Sequence, residues 1–297
     1  MAERYDDVTV IVPTLGRPIL GRTLAALADG SHLPRALVLA DQGVEPATAQ
    51  LVPIAAAGIE VTHLRFSPAG PATARNRAVE QVTTRWLVAV DDDCVPADEW
   101  LERMMDRLRG HPEAIVTGRI AAPERDAASI STPSLLDAPV ERIHRRPSVG
   151  PDPLHTGSFG VAVEVARRIG PFDETLVAAE DNDWGWRALR LGVPIVTAPD
   201  VVVTHEDGRD DAERLAVERR YASGQGRFYG KHLRRLDGRI AWRIVRDLAR
   251  APLRWLRGIV RGDDVARASG RIWMVELPRG VVAGLVGGED RRPWGER

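Results

Sequence analysis

The sequence predicts an α/β fold: a mainly parallel sheet flanked by helices, followed by a basic helical extension at the C-terminus. Three observations carry this reading. Short β-branched runs alternate with helix-spaced apolar residues through the first two thirds of the chain, which is the pattern of βαβ units. Two of those runs end directly on aspartates. Beyond residue 207 the charge changes sign, with 21 Lys+Arg against 12 Asp+Glu in residues 208–297 and 20 against 30 in residues 1–207.

The run VTVIVPT, residues 8–14, reads as the first strand. A helix follows over 18–28, because Pro18 suits a first turn and Leu20, Leu24 and Leu27 recur at helical spacing. Residues 36–41 and 59–66 read as the second and third strands, 70–82 as a helix and 85–90 as a strand. Residues 121–153, rich in Pro, Ser, Ala and charge, read as a long loop or lid. Residues 155–174 supply a glycine-flanked strand, a short helix and a turn. Residues 181–191 form a helix closed by Gly192, and a last strand ends on His205. The division expected is a catalytic domain over 1–207 and a basic amphipathic helical region over 208–297.

A chain of 297 residues with 44% hydrophobic and 28% charged residues is ordinary for a globular protein and long enough to bury a core without disulfides or structural metal. The single cysteine, Cys94, excludes an internal disulfide, fits a reducing compartment and reads as a small packing residue. The N-terminus has no apolar stretch suited to a signal peptide, and the longest apolar runs fall short of the ~20 residues that cross a bilayer. A cytoplasmic protein is expected, at most peripheral on the inner face of a membrane.

The candidate chemistry centres on LVAVDDDCVP, residues 87–96. Asp41 and Asp91 fall where parallel strands end, and ligands of open α/β sheets bind at that edge. Three adjacent carboxylates repel one another unless a cation or hydrogen-bond donors offset them, which suggests a hard divalent metal. On extended backbone Asp91 and Asp93 point the same way and Asp92 the other. The plain alternative is a capped turn leading into a helix with Asp98 in its first turn.

The segments VTVIVPTLGR, ARNRAV, VAVDDDCVP, GSFGVAVEVARRIGPFDE and AEDNDWGWRALRLG occur in an order and spacing that resembles the family 2 inverting glycosyltransferases. These have the GT-A, Rossmann-like nucleotide-diphospho-sugar transferase fold, and the likeness covers residues 6–207. It implies a nucleotide-sugar donor, Mg2+ or Mn2+, and an acceptor hydroxyl on a carbohydrate or lipid-linked glycan of the cell envelope. Residue by residue, it places Pro13, Thr14 and Asp41 against the donor's base and ribose and Arg75 near its diphosphate. Asp91 and Asp93 match a DxD metal motif, with Asp91 and Asp92 also toward the donor. His205 matches a further metal ligand, Asp181 the catalytic base, and Gly157 and Phe159 line the acceptor side. One carboxylate facing away from the diphosphate suffices for single displacement with inversion, without a covalent nucleophile.

Several assignments stay open. Glu180 and Asp183 share a helical turn with Asp181 and compete for the base. Trp184 and Trp186 either form a stacking wall for an acceptor sugar or belong to the core. His205 is either a ligand or a hydrogen-bonded strand-end histidine, Asp41 either a donor contact or a turn acid before Gly43, and Arg75 either a donor contact or the partner of a neighbouring acid. The motif VLADQG departs from the Asp-Asn-Gly-Ser or Asp-Asp-Gly-Ser of many family members, which puts the second strand's donor contact in doubt. A sugar-1-phosphate nucleotidylyltransferase-like enzyme shares the broad fold, but PTLGRPILG matches its glycine-rich loop poorly. A non-catalytic Ca2+-binding peripheral membrane protein would leave the ED helix unexplained.

In the tail, arginines 239, 243, 246, 250, 254, 257 and 261 step by three and four along one helix. Ala241, Val245, Leu248, Pro252, Trp255 and Ile259 draw the opposite stripe, with Pro252 expected to kink or divide the helix. Such a helix either lies on an anionic membrane surface or packs its apolar face on the catalytic domain. No nucleic-acid-binding motif accompanies the charge.

Overall fold

The computed structural model describes residues 2–123, 136, 139–206 and 211–287. The chain begins with β1 (Glu3–Thr14), α1 (Leu20–Asp29) and β2 (His32–Asp41). A 3-10 turn (Ala47–Leu51) leads into α2 (Val52–Ala56), then β3 (Glu60–Arg65), α3 (Pro71–Val79) and β4 (Trp86–Val90). This half follows the βαβ expectation: β1 pairs in parallel with β2 and β4, and β2 with β3. Strand alternation explains why a sheet forms with both faces covered. Val8, Val10 and Val12 enter one core while Ile11 enters the other, and Trp86, Val88 and Val90 oppose Leu87 and Ala89 in the same way.

The second half departs from a mainly parallel sheet. It comprises β5 (Cys94–Pro96), α4 (Trp100–Gly110), β6 (Ile115–Ala121), β7 (Arg142–His144), β8 (Ser158–Ala162), α5 (Val163–Ile169), α6 (Glu180–Arg190) and β9 (Ile195–His205). The sheet order is β3-β2-β1-β4-β8-β6-β9-β5, with β7 added against β9. Only β6 and β9 pair in parallel here; β8 runs antiparallel to β4 and β6, and β9 to β5 and β7. Alternation of strand and helix forecasts parallel pairing only where a helix returns the chain to the same end, and β8 enters without such a crossover.

Of the loop expected over 121–153, residues 124–135, 137 and 138 lie outside the described residues. The described part includes β7, so it is not irregular throughout. Helix α6 ends as expected, with Gly192 at φ 77° and the Val193 N–H returning to the Ala188 carbonyl at 2.9 Å.

Three helices complete the chain: α7 (Asp211–Leu233), α8 (Gly238–Arg261) and α9 (Asp264–Val286). Glycines set the contact between α7 and α9. A Cβ on Gly226 would lie 2.3 Å from the Leu277 carbonyl oxygen, one on Gly230 2.2 Å from that of Val281, and one on Gly280 2.2 Å from that of Ser223. The two backbones therefore approach as only glycine permits. Ala179, Trp186, Phe228, Tyr229, Ile240 and Leu277 form a separate core that fastens these helices to α6.

Helix α8 corrects the tail expectation in two ways. Pro252 lies within one undivided helix, on an exposed face where the carbonyl that loses its partner can meet water. The face that packs lies between the two expected stripes and takes Arg243 from one and Trp255 from the other: Ile240, Arg243, Ala251 and Gly258 are buried and Trp255 lies against Gly270, whereas Val245, Leu248 and Ile259 are exposed. No helix among the described residues is long and apolar enough to cross a membrane.

The glycine contact yields opposite signs for one chemical change. Gly226→Ala or Gly280→Ala is expected to cost about 1–3 kcal/mol through overpacking. Gly21→Ala in α1, where an added methyl meets nothing within 4 Å, is expected to gain up to ~1 kcal/mol. Urea unfolding of the three variants checks both signs.

Candidate active site

The ends of β1, β2 and β4 and the start of α6 meet at one edge of the sheet. Register places the expected residues there: Thr14 pairs with Asp41, and β4 stops at Val90, so that Asp91 leaves the sheet beside them. The Asp91 N–H donates to the Gly157 carbonyl at 3.3 Å, which draws the start of β8 to the same point. A Cβ on Gly157 would lie 2.9 Å from Ile120 Cδ1 and 3.2 Å from Cys94 Sγ, so close packing beside Asp91 calls for glycine there.

The three aspartates divide the work differently from simple alternation. Asp92 is buried and turns into the β1–α1 loop, where Thr14 Oγ1 donates to its Oδ2 at 2.6 Å and Arg17 pairs with its Oδ1. The Thr23 hydroxyl donates to the Asp92 carbonyl at 2.9 Å. Asp93 accepts from Arg17 at 2.8 Å, and its Oδ2 lies 3.6 Å from His205 Nε2. That approach is set by antiparallel pairing of Cys94 with His205. Asp91 keeps 30% of its side chain exposed while accepting from Arg75 Nη2 at 2.7 Å. Burial pushes the Asp91 carboxyl up to about 6; Arg75 opposes the shift, and the charges of Asp93 and Asp92 add to it.

Arg75 joins two parts of the site. Fully buried on α3, it donates through Nη2 to Asp91 and through Nη1 to Glu180 Oε1, each at 2.7 Å. It thereby holds the end of β4 against the first turn of α6. Ala179, just before α6, adopts a left-handed conformation at φ 63°, a strained state for a residue with a Cβ. Helix α7 packs behind it, since a Cβ on Gly224 would lie 2.4 Å from the Ala178 carbonyl oxygen.

The three acids opening α6 have distinct surroundings. Glu180 is buried against Arg75; burial and the Asp181 charge raise its carboxyl above the usual range. Asp183 is buried on the far side, with Arg187 Nε at 2.8 Å, Lys231 Nζ at 2.7 Å and His232 Nε2 at 2.8 Å. Burial opposes its charge, but Arg187, the hydrogen bond with His232 and Lys231 hold its carboxyl well below the usual range. Asp181 is only half-buried and takes the Asn182 N–H at 2.8 Å. Burial lifts its carboxyl to about 6, Arg75 opposes that, and the charges of Asp152 and Asp91 reinforce it.

Other expected site residues are buried away from solvent. Trp184 is 1% exposed, stacked on Phe172 at 4.8 Å, with its Nε1–H given to the Gly170 carbonyl at 2.7 Å. Trp186 is 2% exposed against Phe228, and Phe159 is wholly buried beside Phe172 and Trp184. An acceptor-facing wall of Phe159, Trp184 and Trp186 is therefore not what these rings form; they are core, because α6 buries both tryptophans between the sheet and the C-terminal helices. Asp41 is fully buried, and its oxygens accept from Gly43 N at 2.8 Å and Ala47 N at 3.1 Å and lie 2.8 Å from His63 Nε2. Burial opposes its charge, and these donors hold it below the usual range, so its carboxylate organises its own turn.

The sequence reading gave no role to Arg17 or Lys231. Arg17 stands four residues past Pro13 in the quoted TLGR, but its contact with Asp92 and Asp93 follows only from the adjacency of β1 and β4. Nothing local links Lys231 to Asp173 and Asp183, across sequence separations that only the packing of α7 on α6 closes.

As to metal, Asp91, Asp93 and His205 offer the oxygen and imidazole donors that Mg2+ or Mn2+ accepts. Among the described residues no group of three or more His, Cys, Asp or Glu is already arranged as a cage. That donor set fits an ion that completes its shell with substrate phosphate oxygens, the usual habit of Mg2+.

The family model described as glycosyl transferase family 2 matches residues 9–162, just over half of the chain. Among relatives, a pre-mycofactocin glycosyltransferase of Mycobacterium tuberculosis (strain ATCC 25618 / H37Rv) is 28% identical over 206 residues, 68% of this chain and 43% of that protein. Glycosyltransferase AglE of Haloferax volcanii is 27% identical over 188 residues, 62% of this chain and 60% of that protein. The chain thus spans about half the length of the curated relatives it matches. Among solved structures, mannosyltransferase PcManGT from Pyrobaculum calidifontis, in complex with GDP-Man and Mn2+, has a TM-score of 0.64 at 19% identity, covering 95% of this chain and 88% of that one. S. aureus TarS 1-349 in complex with UDP-GlcNAc has a TM-score of 0.56 at 15% identity, covering 92% and 91%. At these identities the structural likeness speaks for the fold.

The α6 acids yield a stability test. Because the folded Asp181 value of about 6 exceeds the ~3.9 of an unfolded aspartate, the unfolded chain gives up its proton first. The group therefore works against folding as pH rises from about 4 to about 6, and the loss persists above that window. Asp181→Asn is expected to gain stability over wild type across the window and to keep the gain at neutral pH. Asp183→Asn, which strips a buried cation cluster of its carboxylate, is expected to cost about 3–5 kcal/mol. Thermal melts of both variants at acid and neutral pH check the contrast.

Proposed function

The chain belongs to glycosyl transferase family 2, and from that membership we propose that it transfers a sugar from a nucleotide-diphosphate donor to an acceptor hydroxyl with inversion. The observation that carries the reading is the Arg75 bridge, which sets Asp91 at the end of β4 beside the first turn of α6, where Asp181 keeps its solvent exposure. A carboxylate cluster for the diphosphate and a carboxylate for the acceptor then share one edge of the sheet. Residues 1–207 would carry this chemistry, and 208–297 would brace it.

In this reading Asp181 is the base. Half-buried, with its carboxyl raised to about 6, it is ionised at neutral pH yet basic enough to take a proton. It accepts the acceptor's hydroxyl proton as that oxygen attacks the anomeric carbon from the face opposite the diphosphate. Glu180 and Asp183 are held by Arg75 and by the Lys231 cluster, which favours Asp181 among the three. Mg2+ or Mn2+ on Asp91, Asp93 and His205 would neutralise the charge that develops on the departing diphosphate. Arg17 and Thr14 fix Asp92, which keeps the backbone of Asp91 and Asp93 in place. Pro13 and Asp41 would shape the pocket for the base and ribose, with Asp41 acting by ordering residues 43–47. Gly157, packed against Ile120 and Cys94 beside Asp91, would border the acceptor side, where a carbohydrate or lipid-linked glycan would enter.

A thermal-shift panel of UDP-, dTDP- and GDP-sugars tests the donor. One of them with Mn2+ is expected to raise the melting temperature by several degrees, since ligand at a hundred times its Kd adds about 2.7 kcal/mol. Chelator, Asp91→Asn and Asp93→Asn should each remove the shift, and its absence with every donor would count against the reading. Asp181→Asn should keep the donor-induced shift while transfer falls by about 10²–10⁴. Wild-type transfer should rise with pH and level off above about 6, the value of the Asp181 carboxyl.

A further inference from the structure

We propose that the outer face of α8 is a docking surface for an anionic lipid bilayer. Trp242, Leu253, Leu256 and Val260 are 57%, 53%, 51% and 78% exposed, and Val245 and Ile259 join them. At 100° per residue these six positions fall within a sector of about 120° on a helix about 36 Å long. Single exposed apolar residues are ordinary on a surface, but six aligned on one face are not. The opposite face is already used: Gly258 lies against Arg267 of α9, Trp255 against Gly270, and Arg243 pairs with Asp152. The outer face is therefore not the seam by which α8 joins the rest of the chain.

Charge indicates what covers it. Exposed Arg239, Arg250, Arg257 and Arg261 run along one edge of the apolar sector, and Arg145 and Arg146 line an open cleft of about 580 Å³ at the N-terminal end of α8. Leu236, 91% exposed in a left-handed conformation, lies at the rim of the same cleft. An apolar face with a one-sided cationic border matches the boundary between acyl chains and anionic headgroups, where the arginine stems stay apolar and their heads reach phosphate. A second copy of this chain in antiparallel contact would instead set arginine edge against arginine edge.

The surface also connects to the site. Arg243 and Arg246 of α8 hold Asp152 and the Val149 carbonyl, and the chain from there leads through Gly157 to Asp91. Docking through α8 would bring the acceptor side to a lipid surface, so the acceptor would be lipid-linked; that consequence rests on the proposed transferase reading, whereas bilayer binding does not.

Flotation of the full chain with vesicles tests it, using phosphatidylcholine alone and a two-to-one mixture of phosphatidylcholine with phosphatidylglycerol. The chain is expected to float with the mixed vesicles, more weakly at high salt. Leu253→Gln/Leu256→Gln/Val260→Gln should weaken binding at least tenfold, and Arg250→Gln/Arg257→Gln/Arg261→Gln should remove the preference for anionic vesicles. Both variants should keep the wild-type far-ultraviolet spectrum and donor-induced thermal shift, which separates this proposal from the donor reading. Wild type that stays unbound to anionic vesicles overturns the proposal, as does an apolar triple variant that floats equally well. So does a wild-type dimer in sedimentation that the apolar variant dissociates, since the face would then be a self-interface.

Discussion

The buried guanidinium of Arg75, shared between Asp91 and Glu180, is the contact on which the arrangement of this edge rests. A single cation between two carboxylates cannot balance the acids around it, which include Asp92, Asp93 and Asp181; burial lifts the Asp91 and Asp181 carboxyls, and neighbouring acids add to that rise against the pull of Arg75. Arg17 relieves part of it by pairing with Asp92 and Asp93. What remains is negative charge on the two partly open acids, Asp91 toward the sheet edge and Asp181 at the start of α6. Clustered carboxylates with raised values are a marker of functional sites.

The C-terminal helices bear on this edge from behind. Lys231 reaches both Asp173 and Asp183, at 2.5 and 2.7 Å, and Asn182 donates to Gln225 at 2.7 Å. The turn of α6 that carries Asp181 is thus held from one side by Arg75 and from the other by α7. The residue before the left-handed Ala179, Ala178, is pressed against Gly224 of α7. A chain cut after β9 would lose these supports, so the basic tail is part of what positions the acids whatever else its surface does.

The outcome at particular residues shows what was legible. Asp91, Asp93, His205, Asp181 and Arg75 do converge, because strand ends and a capped helix start can be read from local pattern and their shared sheet edge follows from βαβ logic. Trp184 and Trp186 were ambiguous in sequence, as a sugar platform or as core; Phe159 and Phe172 against Trp184, and Phe228 of α7 against Trp186, decide for core. Asp41 could contact a donor or cap a turn, and its hydrogen bonds to Gly43 and Ala47 give it the turn. The apolar stripe of α8 was visible, but its direction was not.

The sequence by itself determined the strands of the first half and its helices α1 and α3, the acids at the strand ends, the helix that presents Asp181 and the basic helical character of the tail, but not α2. These are local matters of periodicity, capping and composition. Tertiary structure alone decided the antiparallel pairing of β8 with β4 and β6 and of β9 with β5 and β7, the two-sided grip of Arg75, the burial of Asp183 against Arg187 and Lys231, and which face of α8 looks outward. Each of these depends on contacts between residues far apart in the chain, and no local pattern encodes which elements will meet.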